Sequence, residues 1–97
     1  MPVLSDDQIR DGVPDGWEIE GDAIAKQFAF DTFPAGIAFV NLLADAAEEA
    51  NHHPDVDIRY NKVRVVLSTH SEGGVTDKDL TLATRAEELA AAAGSGD

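Results

Sequence analysis

Two periods of apolar residues take turns along this chain, and the switches between them mark out seven elements. Ser5-Asp6-Asp7-Gln8 has the form of a capping box, with Ser5 as N-cap and Gln8 at N3, and predicts a short helix ending by Gly12. Val13-Pro14-Asp15-Gly16 reads as a turn. Trp17-Glu18-Ile19-Glu20 alternates like a strand, Gly21-Asp22 makes a two-residue hairpin turn, and Ala23 to Phe30 follows as the second strand. On that strand Ile24, Lys26, Phe28 and Phe30 share a face, and the lysine is out of place among them.

The period then lengthens. Asp31 or Thr32 caps a helix whose first turn holds Phe33-Pro34, and Phe33, Ile37, Val40, Ala44 and Ala47 fall at helical spacing. Phe39, Leu42 and Leu43 widen this stripe, which predicts burial on more than one side, against the sheet and against another subunit. The helix runs to about Asn51, because Pro54 lacks an N–H and pushes His53 towards extended geometry. Val56, Ile58 and Tyr60 alternate with Asp55, Asp57 and Arg59 as in a half-buried strand, and Asn61-Lys62 is the turn after it. Val63 to His70 is the next strand, with Val63, Val65, Leu67 and Thr69 on one face and Arg64, Val66, Ser68 and His70 on the other. A loop over Glu72-Gly73-Gly74-Val75 leads to the last helix. Thr76 is its N-cap, Asp79 stands at N3, and Leu82, Ala86, Leu89 and Ala93 form its apolar row. Gly94-Ser95-Gly96-Asp97 is expected to fray. The order α-β-β-α-β-β-α, with short hairpins, predicts an α+β fold: a two-layer sandwich of a four-stranded, mainly antiparallel sheet with helices packed on one face. No repeat or linker interrupts it, so residues 1–97 read as a single domain.

Composition narrows the function. Ninety-seven residues, 43% of them hydrophobic, suffice for one small core, and the lack of cysteine excludes a disulfide scaffold and thiolate metal sites. There is no apolar run long enough for a membrane span and no signal-peptide pattern at Met1-Pro2-Val3-Leu4-Ser5, so the expected location is cytoplasmic, with no membrane partner. Nineteen acidic residues against seven basic ones leave a formal charge of −12, which argues against nucleic acid as a direct partner. The acids are spread along the chain, and lysine is confined to Lys26, Lys62 and Lys78. Such a carboxylate-rich surface fits a cytosolic protein of a salt-loving microbe, beside the plainer reading of an ordinary acidic protein.

The candidate chemistry centres on Glu48-Glu49-Ala50-Asn51-His52-His53-Pro54, where the long helix meets a strand. Imidazole is the side chain that exchanges protons near neutrality, and a third histidine, His70, sits at the expected end of the last strand. Asp79 opens the following helix, whose N-terminal turn offers N–H donors, and Trp17 is a flat apolar wall for a planar ring. Each has a duller explanation: a histidine pair before proline as a loop or cap feature, Asp79 as helix-end electrostatics, Trp17 as core, Glu48 as a solvated acid. Zinc is a sharper rival, since three histidines can hold it, although no His-x-x-x-His pair is present. A Ser-His-Asp hydrolase has less support, because no serine lies in a Gly-x-Ser-x-Gly elbow.

The spaced set Glu48, His52-His53-Pro54, Tyr60, His70 and Asp79 resembles the pterin-4a-carbinolamine dehydratase family. Gly16-Trp17, Lys26-Gln27-Phe28-x-Phe30, Tyr60-Asn61-Lys62-Val63, Leu67-Ser68-Thr69-His70 and Asp79-x-x-Leu82-Ala83 extend the likeness over roughly Gly16 to Leu89. The resemblance implies dehydration of 4a-hydroxytetrahydropterin to the quinonoid dihydropterin, in recycling of the pterin cofactor, without metal or organic cofactor. It implies that His52 and His70 form the acid/base pair, that His53 mainly holds the pterin, and that Glu48 and Asp79 orient or charge-stabilise the imidazoles. Trp17, Pro54, Ser68 and Thr69 would line the pterin site. It also implies a homodimer or homotetramer built through a sheet edge and the long helix. Which histidine gives the proton and which takes it stays open. So do a role on the pterin of molybdenum cofactor, and one as a non-catalytic pterin-binding or protein-interaction module. The homeodomain partnership of animal family members finds no support in this acidic chain.

Overall fold

In the computed structural model, which describes residues 2–94, the elements follow in the order α1 (Asp6–Gly12), β1 (Glu18–Glu20), β2 (Ala23–Ala29), α2 (Phe33–Ala50), β3 (Asp55–Arg59), β4 (Lys62–Leu67) and α3 (Asp77–Ala92). A short 3₁₀ turn, His70–Glu72, precedes α3. The strands form one antiparallel sheet in the order β1-β2-β4-β3, so the α+β two-layer expectation holds. Of the tail expected to fray, everything beyond Gly94 lies outside the described residues.

Local chemistry starts the helices where expected. The Ser5 hydroxyl accepts from the Gln8 N–H at 3.2 Å, and the Gln8 side chain accepts from the Ser5 N–H at 2.9 Å. Of the two candidates for α2, Thr32 is the cap; its hydroxyl accepts from the Ala35 N–H. At the other end Asn51 takes a left-handed conformation (φ 51°), which asparagine tolerates better than most residues.

Register then builds the core. Ile24 pairs with Leu67, Lys26 with Val65, and Phe28 with Val63, so these residues share the helix-covered face. Against them pack Gly36, Phe39, Leu43 and Ala47 of α2 and Leu82, Ala83, Ala86, Leu89 and Ala90 of α3, all buried. The misplaced Lys26 is accounted for: its ammonium lies 2.8 Å from Glu87 Oε2 of α3 and 4.8 Å from the centre of the Phe28 ring. On the open face Arg64 of β4 pairs with Glu20 of β1, and that hydrogen bond pushes its guanidinium pKa up from the ordinary value.

Four local readings are corrected. β4 stops at Leu67, and His70 begins the 3₁₀ turn instead of ending a strand; Thr69 between them forms only an isolated bridge to Gly74. Lys62 belongs to β4, and the hairpin turns at Tyr60, whose φ is 54°. β3 is an edge strand exposed at all five residues, not half-buried, because among the described residues no strand pairs with its outer side. On α2 the buried row is Gly36, Phe39, Leu43 and Ala47, while Phe33 and Leu42 remain 47% and 38% exposed.

Candidate active site

The C-terminus of α2, the end of β4 and the N-terminus of α3 converge, and their caps make the site. His52 follows the left-handed Asn51. Its N–H donates to Ala47 O at 3.0 Å and the Asn51 N–H donates to Glu48 O at 3.1 Å, the paired bonds of a Schellman motif. This closure turns the chain so that the His52 side chain, only 10% exposed, meets α3.

On α3, Asp79 completes the capping box: its Oδ2 accepts from the Thr76 N–H at 2.9 Å. The same oxygen accepts from the Thr69 hydroxyl at 2.8 Å, while Oδ1 lies 2.5 Å from His52 Nε2. Asp79 is fully buried. One carboxylate oxygen therefore caps the helix and the other is left for the histidine. A carboxylate only accepts, so the proton of this contact is on His52 Nε2, and whenever the ring is neutral its lone pair is on Nδ1. His53 turns the other way: its Nε2 lies 2.5 Å from Glu48 Oε1, in an exposed pair. His70 is exposed too, and among the described residues its imidazole has no hydrogen-bond partner. Its backbone neighbour Thr69 touches Asp79, which ties the turn carrying His70 to the carboxylate that holds His52.

The remaining candidates have other partners. Ser68 donates to Asp22 O at 2.7 Å, tying the end of β4 to the β1–β2 turn, and Pro54 is half-buried at the start of β3. Trp17 is in the core, edge-on to Phe28 at 6.0 Å, and its indole N–H donates to Glu87 Oε2 at 2.9 Å. Glu87 stands two helical turns beyond Asp79, about 12 Å along α3, so the structure seats the indole away from the histidines. Sequence reasoning missed the Thr76 side chain as part of the site, although Thr-x-x-Asp at a helix start is a signal for it. Among the described residues no group of three or more His, Asp or Glu converges as a metal ion requires. A cleft of about 610 Å³ opens between α2 and α3, bordered by Leu42, Glu49, Lys78 and Leu82, and His52 is the one candidate residue that lines it.

With that geometry in hand, comparison with known proteins decides the family. The family described as "Pterin 4 alpha carbinolamine dehydratase" matches residues 2–89. The chain belongs to this family. Two relatives, each named "Putative pterin-4-alpha-carbinolamine dehydratase", come from Herpetosiphon aurantiacus and Mycobacteroides abscessus. The first is 48% identical over 96% of this chain and 99% of its own length, the second 54% identical over 86% and 90%. A crystal structure from Brucella melitensis, described as a "transcriptional coactivator/pterin dehydratase", is 34% identical. It superposes with a TM-score of 0.85 over 91% of this chain and 98% of that one. The pterin carbinolamine dehydratase match spans every residue singled out above, from Trp17 to Asp79. It therefore includes both hydrogen-bonded groups, His52 with Asp79 and His53 with Glu48.

Proposed function

We propose that the protein dehydrates a 4a-hydroxytetrahydropterin to the quinonoid dihydropterin and water by histidine general acid–base catalysis. The observation that carries the reading is the His52–Asp79 pair. A buried carboxylate, itself held by a helix cap, orients an imidazole so that Nδ1 of the neutral ring is left to accept a proton. Loss of water needs an acid to protonate the departing 4a-hydroxyl as the C–O bond breaks, and a base to take a ring-nitrogen proton as the C=N bond forms. His52 and His70 are the pair for these two transfers, and His53, braced by Glu48, holds the ring. The exposed imidazoles of His53 and His70 lie outside the α2–α3 cleft while His52 lines it, so a pterin addressed by all three histidines reaches beyond the cleft. In this reading Pro54 and Ser68, both partly exposed, border the pterin, and the buried Thr69 supports the site from within. Trp17 supports the site only through the packing of α3.

The test is turnover of 4a-hydroxytetrahydropterin read against an enzyme-free blank, since the reaction also proceeds unaided, in buffer with molar salt. Acceleration that survives prolonged chelation supports the reading. No acceleration by folded protein overturns it, and activity lost on chelation and restored by zinc overturns its metal-free form.

The exposed edge of β3, with Val56 and Ile58 38% and 39% exposed, and Phe33 and Leu42 on α2 support assembly as a homodimer or homotetramer. The same surfaces, with the coactivator description of the Brucella neighbour, favour a second reading as a protein-interaction module. Folded, assembled protein without turnover would select it.

A further inference from the structure

Thr69, Thr76 and Asp79 are all buried, and their hydroxyl protons can be placed by counting. Thr69 Oγ1 lies 2.8 Å from Asp79 Oδ2 and 2.8 Å from Thr76 Oγ1. A threonine hydroxyl has one proton, and a carboxylate oxygen has none to give. The Thr69 proton therefore points at Asp79, and the proton between the two threonines belongs to Thr76. Thr76 Oγ1 keeps its lone pairs for the helix start, accepting from the Lys78 N–H at 3.3 Å. Among the described residues no buried side-chain nitrogen or oxygen is left without a partner, so the chain Thr76–OH to Thr69–OH to Asp79 to His52 closes without a gap.

The direction has a consequence at the far end. Two donors, the Thr69 hydroxyl and the Thr76 N–H, hold Oδ2 and fix the plane of the carboxylate, which sets where Oδ1 stands. Oδ1 in turn selects the His52 nitrogen that bears the proton. We infer that Thr69 and Thr76 are positioning residues that hold His52 in its Nε2–H tautomer, with Nδ1 presented as the proton acceptor. Thr69 acts inward on Asp79, and its hydroxyl is not available to a pterin. Thr69 immediately precedes His70, so this same hydroxyl joins the turn that carries His70 to the carboxylate that holds His52.

The rate measurement rests on the dehydratase reading; the tautomer measurement does not. Imidazole ¹⁵N shifts of His52 at a pH where the ring is neutral are expected to show protonated Nε2 in the native chain. Thr69→Val keeps the shape and removes the proton, and is expected to yield a mixture of tautomers. It should lower kcat by roughly 10–100-fold with KM little changed, the scale at which outer partners of metal-bound histidines matter. Thr69→Ser restores both. Thr76→Ala, which leaves the strand end intact, moves both readouts in the same direction by less. If Thr69→Val and Thr76→Ala each leave the ¹⁵N shifts at native values, or if Thr69→Ser fails to restore them, the inference is overturned. A shifted tautomer in protein that never accelerates the dehydration keeps the inference and removes the dehydratase reading. Loss of turnover in His52→Ala combined with native shifts and rate in Thr69→Val does the reverse.

Discussion

Consecutive residues His52 and His53 face apart, one into a buried carboxylate and one onto an exposed glutamate, and their substitutions should therefore differ in kind. His52→Ala and His70→Ala are expected to lower turnover by roughly 10²–10⁴, the usual worth of general acid–base catalysis. Binding of an unreactive pterin should change far less. His53→Ala should show the opposite balance, weakening binding more than it slows the bound step. The double change at His52 and His70 should leave almost nothing above the spontaneous reaction. Single-turnover rates beside pterin titrations check this, and a folded double variant that keeps most of its rate would leave the trio without a catalytic role. This level of detail was half legible beforehand. Capping-box spacing located Asp79, but the second use of its carboxylate needed Thr69 and His52, which lie 10 and 27 positions away.

At the scale of elements, the first hairpin is fastened to α3 by one glutamate. Glu87 accepts from the Trp17 indole at 2.9 Å and from the Lys26 ammonium at 2.8 and 3.0 Å. Gly16 belongs to this fastening as well. It has φ +92°, and a Cβ there would come within 3.1 Å of the Lys26 chain. Glu87→Ala strips a buried indole and a mostly buried ammonium of their shared partner and should destabilise the fold by about 1–3 kcal/mol. Turnover at a temperature where the variant is folded should stay near native. A drop in kcat without a drop in stability, followed by denaturant titration and assay, would show that this corner reaches the chemistry. β3 makes a different prediction. Its apolar residues are exposed because it is the sheet edge, so Val56→Lys with Ile58→Lys should shift an assembled state towards monomer in sedimentation and leave the monomer folded. Unchanged sedimentation would remove β3 from the assembly.

Across the whole molecule, charge dominates. A formal charge of −12 on 97 residues means that the folded chain repels itself. The Debye length falls from about 10 Å at 0.1 M salt to about 3 Å at 1 M, so screening should raise the melting temperature across that range. Thermal melts check it, and a melting temperature that is flat or falls with salt would reject adaptation to a salty interior while leaving the chemistry untouched. No helix among the described residues is long and apolar enough to cross a membrane.

What the amino-acid sequence determined by itself is whatever is settled within about one helical turn or one strand repeat. The capping boxes at Ser5 and Thr76, the stop after Asn51, the alternation in β2 and β4, and hence the element order all rest on neighbours a few positions apart. Tertiary structure decided the rest, for reasons of distance along the chain. Trp17 finds its partner 70 positions away, and so packs into the core, the plainer of its two readings. The α2 stripe was too wide to say which row is buried until β4 and α3 chose Phe39, Leu43 and Ala47. The alternation in β3 resembled that of a half-covered strand, but exposure depends on what lies beside it, and there the sheet ends. His70 left the strand because Thr69 bends away to bridge Gly74 and bond Asp79, contacts that the local alternation of Val63 to His70 does not encode.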